Sequence, residues 1–149
     1  MIWLTHQLKH HSLGKHMPHR TYCPLAHLAQ MGVRVDFVEG LEQPGLFYHA
    51  ERRVEIRLAM PPDMERSVLA HEAAHAELNH VPQAIWCHEM KQERTANAMA
   101  GRRLIDYHEM VRLQRLGLGE KEMCAQLKVA RVILRAYAWL SSPAWQLAA

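Results

Sequence analysis

His71 and His75 stand four residues apart with Glu72 beside the first, and this trio limits what the chain can fold into more than any other feature. On an α-helix a four-residue step returns the side chain to within about 40 degrees of its starting direction. Two imidazoles on one face can then grip a single metal ion. Around the pair, Met64, Val68, Leu69, Ala73 and Ala76 recur with helical rather than strand period, so the spacing predicts an amphipathic helix. Asp63, after Pro61-Pro62, is the expected N-cap, and Pro82 should end the helix near Asn79-His80. Two ligands do not complete a metal site, so the fold must carry a third back to this helix.

Zinc suits the pair, because it accepts imidazole nitrogen at about 2.0–2.1 Å and, with three protein ligands, keeps a position for a water of lowered pKa. Glu72 can reach that water, take its proton during attack on a carbonyl and pass it to a leaving amine. His80 is one candidate for the third ligand, but the HExxHxxGxxH arrangement needs Gly at 78 and His at 81, where the sequence has Leu78 and Val81. Glu93 is the better candidate. It follows His75 by eighteen residues, on a second helix expected from about His88 to Asp106, where Ala96, Ala98 and Ala100 permit close packing. Glu89 is the fallback ligand. Asn97, one turn beyond Glu93, is placed to hydrogen-bond a ligating histidine and fix its tautomer. His88 or His80 is a candidate donor to the oxyanion formed when water attacks a carbonyl.

The flanking sequence completes an α+β reading. A short helix is expected over Tyr22 to Met31, closed by Gly32. Val33, Val35 and Phe37 then alternate with polar residues, as do Val54, Ile56 and Leu58, and Leu46 to His49 reads as extended. A small antiparallel sheet packed on the HExxH helix and the second ligand helix is the economical arrangement. Helices are expected from Glu109 onward, over Glu120 to Leu127 and over Val132 to Leu140. The expected organisation is a His-rich N-terminal arm over residues 1–20, a core over 21–110 and a helical segment over 111–149 packed on that core. Five of the twelve histidines crowd the arm: His6, His10, His11, His16 and His19.

Composition narrows the class. With 49% apolar and 22% charged residues and no apolar run near the roughly 20 needed to span a bilayer, a soluble protein with no membrane partner is expected. Cys23, Cys87 and Cys124 form no CxxC pair, which fits free thiols in the cytoplasm. A net charge of +3 does not by itself imply nucleic acid, although residues 91–135 hold the basic surplus.

These residues resemble the ImmA/IrrE-type metallopeptidases, small zincin-like proteins common in phages and mobile elements. The resemblance runs from about Val33 to Leu104. It rests on Gly45-Leu46-Phe47-Tyr48, the extended Val54 to Leu58, Leu69-Ala70-His71-Glu72-Ala73-Ala74-His75-Ala76, and Gln92-Glu93-Arg94-Thr95-Ala96-Asn97. It implies zinc bound by His71, His75 and Glu93, with Glu72 as catalytic base. It also implies a substrate class, helix-turn-helix transcriptional repressors, so that the chain would act as an anti-repressor. The chain departs from the family in carrying Ala74 where Gly is common, and Arg102-Arg103-Leu104-Ile105 where a longer apolar-Met-Pro ending is common. Leu118 to Leu140 resembles a helix-turn-helix with Lys128 in place of the turn Gly and Ala130 in place of the Ser or Thr cap. The alternatives are a non-catalytic zincin-like protein that sequesters a repressor and a DNA-binding regulator; direct nucleic-acid binding is not favoured.

Overall fold

The computed structural model describes residues 22–141; the His-rich arm expected over residues 1–20 lies outside them. The described chain runs α1 (Pro24–Gln30), β1 (Arg34–Val38), β2 (Gly45–Tyr48), β3 (Arg53–Arg57), α2 (Pro62–Glu77), α3 (Trp86–Leu104), α4 (Tyr107–Arg115), α5 (Glu120–Leu127) and α6 (Arg131–Leu140). This is the expected α+β, zincin-like class.

The sheet departs from expectation in one respect. Its order is β1-β3-β2, and β1 pairs with β3 in parallel, Val35 opposite Val54 and Phe37 opposite Ile56, while β2 and β3 form an antiparallel hairpin. The sheet is therefore mixed rather than antiparallel. Apolar alternation places Val54 and Ile56 on the core face in either direction; strand direction depends on the path of the chain through residues 39–44. That path is pinned by Arg57, whose Nε donates to Leu41 O at 2.8 Å and whose Nη2 donates to Glu42 O, while its backbone N–H donates to Pro44 O at 2.9 Å. β3 is central, and both Val54 and Ile56 are wholly buried.

α2 is the structural spine. One of its sides packs Val68, Leu69, Ala73 and Ala76 against Val54, Ile56, Leu28 and Val33. Another side brings Ala70 into a second core shared with Ala100, Leu104, Ile105, Met110, Leu113 and residues of α5 and α6. The helix is consequently buried nearly all round along its central turns, including Ser67, Glu72 and His75, rather than on one face alone as the amphipathic spacing predicts. Asp63 does not cap it. Pro61 is the N-cap and Pro62 the first helical residue, a position where the missing N–H costs nothing. Asp106 does cap α4, accepting from the backbone N–H groups of His108 and Glu109 at 2.8 and 3.2 Å.

α2 ends in a turn in which Asn79 takes a left-handed conformation, φ +50°. The N–H of His80 then returns to His75 O at 3.0 Å and that of Asn79 to Ala76 O at 3.4 Å, a Schellman closure that reverses the chain. Arg52 holds this end, donating to Met31 O at 2.9 Å, Ala76 O at 3.3 Å and Asn79 Oδ1 at 3.4 Å.

The C-terminal helix pair is fastened to α2 by one buried polar link. Ser67, 1% exposed, donates through Oγ to Asp63 O and accepts the N–H of Ala130, both at 2.8 Å. Ser67→Ala leaves that N–H unpaired, and an unsatisfied buried donor costs about 1–3 kcal/mol. Urea unfolding should register a loss of this size with helix content unchanged; a change below about 0.5 kcal/mol would mean the link carries no stability.

Candidate metal centre

The middle of α2 and the first half of α3 put three ligand groups at one point. His71 Nε2 lies 3.3 Å from one carboxylate oxygen of Glu93, His75 Nε2 lies 3.2 Å from the other, and the two Nε2 atoms are 3.0 Å apart. Among the described residues these are the only three His, Cys, Asp or Glu side chains grouped so as to hold a metal. Donors at about 2.0–2.1 Å from a tetrahedral ion lie roughly 3.3 Å from each other, and the spacing of the two imidazole nitrogens, with one Glu93 oxygen facing each, is close to that value.

Each imidazole is oriented from behind. His71 Nδ1 is 2.9 Å from Asn97 Oδ1; an amide oxygen only accepts, so Nδ1 carries a proton, and a metal ion would take the Nε2 lone pair in place of the proton shared with Glu93. His75 Nδ1 is 3.0 Å from His80 Nδ1. Burial, reinforced by the charge of His75, lowers the pKa of His80, which suits it to accept from His75 as a neutral ring. His80 thus stands behind a ligand, brought there by the left-handed turn at Asn79. His88 is exposed on α3, outside the three-ligand group, as is Glu89.

Electrostatics follow from the crowding. Hydrogen bonds from His71 and His75 hold Glu93 far below the ordinary carboxylate range, against the opposing effect of partial burial. Burial pulls His71 downward, but the Glu93 hydrogen bond, the charges of Glu72 and Glu93 and the Asn97 bond outweigh it and leave its pKa raised. Glu72 is 5% exposed, and burial pushes its carboxyl above the usual range despite the neighbouring imidazoles. A carboxylate raised toward neutrality is suited to exchange protons with a reacting group.

Glu72 has a roof that the sequence reading did not anticipate. Gly45, at the start of β2, passes so close that a methyl group there would meet Val68 Cγ1 at 2.5 Å and Glu72 Oε1 at 2.7 Å. Pro44-Gly45 reads in the sequence only as a turn, and its approach to α2 comes from the Arg57 contacts with residues 41–44.

A family model described as the IrrE N-terminal-like domain, a metallopeptidase family, matches residues 28–131. The chain belongs to this family. The match takes in every element from α1 to α5 except the first turn of α1, and so contains the whole ligand group. Among curated proteins no match is found. In this IrrE-like domain the first-ligand orientation is open to direct measurement. Asn97→Ala removes the acceptor behind His71 and should weaken metal affinity about 10–100-fold, read by competition with a chelating dye; unchanged affinity would assign Asn97 to packing alone.

Proposed function

We propose that this chain is a zinc-dependent endopeptidase that cleaves a regulatory protein in the cytoplasm, a helix-turn-helix transcriptional repressor being the substrate class that the family resemblance suggests. The observation that carries the reading is a buried carboxylate, Glu72, adjacent on one helix to two imidazoles whose Nε2 atoms converge with Glu93. The set of two nitrogens and one carboxylate oxygen, with room for a further ligand, is that of a catalytic rather than a closed structural zinc site. When bound, zinc supplies Lewis acidity, polarising the scissile carbonyl and acidifying water.

The protein's own residues supply the rest. His71, His75 and Glu93 hold their donor atoms fixed, with Asn97 and His80 setting the imidazole tautomers. Glu72 takes a proton from the attacking water at its carboxylate and delivers it to the leaving amine. Gly45 leaves the space in which that carboxylate stands. Exposed Cys23 and Cys87 are free thiols, in keeping with a reducing compartment, and no described helix is long and apolar enough to cross a membrane.

Glu72→Gln keeps the ligands and removes the base. Cleavage of a co-expressed repressor should fall by about 10²–10⁴-fold while zinc per chain stays constant. Cleavage that persists in this variant would overturn the mechanism, and loss of zinc along with activity would make Glu72 a structural residue. Gly45→Ala should also retain zinc but displace the base, lowering kcat by about 10²-fold, the cost of a misplacement near 1 Å; an unchanged kcat would show that Glu72 does not need the space.

A further inference from the structure

Ser67 lies one turn before His71 on α2, so the face that presents the first ligand also presents the hydroxyl that binds Ala130. Ala130 is the N-cap of α6 and has no side chain to cap it. The buried hydroxyl of Ser67, accepting the Ala130 N–H at 2.8 Å, therefore fixes where α6 begins relative to the metal centre. Lys128 supports the same placement by taking the left-handed conformation, φ +54°, that closes α5.

From that anchor α6 sends Ile133 and Leu134 into the core, 1% and 4% exposed, and leaves Val132 52% exposed. A cavity of about 240 Å³ joins the metal centre to this point: it is lined by His71, Glu72 and Glu93 together with Met64, Val68 and Val132. Small-molecule sites occupy roughly 300–1,000 Å³, so this one is sized for a single side chain. It is continuous with the residues that would act on a peptide bond.

The same turn is the part of a helix-turn-helix that reads DNA bases. Here it faces the cavity. The basic residues of α6 are also engaged: Arg131 and Arg135 both pair with Glu120 of α5, at 2.7 and 3.1 Å, which reduces the charge available to phosphates.

We infer that the first turn of α6 walls a substrate subsite that takes an apolar side chain next to the scissile bond, with Val132 limiting its size. This rests on the peptidase reading above. The C-terminal helix pair is then part of the peptide cleft and selects substrate.

The test uses the full chain loaded with zinc and a panel of hydroxamates, which chelate the metal whether or not the protein cleaves anything. Acetohydroxamate is compared with the hydroxamates of N-acetyl-leucine and N-acetyl-phenylalanine. One well-placed methylene in an apolar pocket is worth about 10–200-fold, so the apolar probes should bind at least about 10-fold more tightly. Val132→Trp, which fills the subsite, and Val132→Asp, which charges it, should each bring that ratio close to one while leaving acetohydroxamate affinity and zinc content unchanged. A wild-type ratio near one, or a ratio that both variants preserve, would overturn the inference. Failure of the peptidase reading would look different: the subsite would discriminate among hydroxamates in a protein that cleaves no partner.

Discussion

The close approach of α2 and α3 sets the distances of the ligand group. Ala70, Ala74, Ala96 and Ala100 are wholly buried, and side chains this small let packed helices come nearer than the common 8–10 Å interaxial distance range would with leucines. Glu93 is short for the task of spanning two helices. It meets both imidazoles only because α3 is held tightly, and a bulkier residue at Ala96 or Ala100 would move the carboxylate outward by more than a metal bond tolerates. Packing here is therefore a coordination device as much as a source of stability.

That arrangement concentrates ionisable groups where water is scarce. Glu72 and His75 are among the most buried polar residues of the described chain, and an isolated charge in such a place would be costly. Three things offset the cost: Glu93 accepts from both imidazoles, Asn97 and His80 satisfy the outer ring nitrogens, and Glu72 shifts toward its neutral form. Metal binding would replace the two imidazole–carboxylate hydrogen bonds with stronger bonds, coupling site occupancy to the stability of the α2–α3 pair. The site and the fold share one set of contacts.

Much of this was legible in the residues. The four-residue step of His71 and His75, the change from strand to helical period at Pro61-Pro62, and the position of Glu93 and Asn97 on one face of the next helix are local patterns, and local patterns survive folding. What escaped reading was set by long-range geometry. Parallel pairing of β1 with β3 leaves the same alternation as antiparallel pairing. The approach of Gly45 to Glu72 depends on Arg57 holding residues 41–44. His80 reaches His75 only because Asn79 accepts a left-handed φ, which Asn tolerates better than most residues without announcing it. Ser67 offered a signal, since it lies four residues before His71, but its partner Ala130 is sixty-three residues away.

The centre on which all of this turns is the group of two imidazoles and one carboxylate placed so as to hold a metal ion, and X-ray absorption of the zinc-loaded protein reads that shell directly. The account predicts two nitrogen ligands at about 2.0–2.1 Å with the outer-shell scattering of two imidazole rings, and the remaining ligands oxygen. A sulfur shell near 2.3 Å, implicating Cys23, Cys87 or Cys124, or a shell of three or more imidazoles, would contradict it.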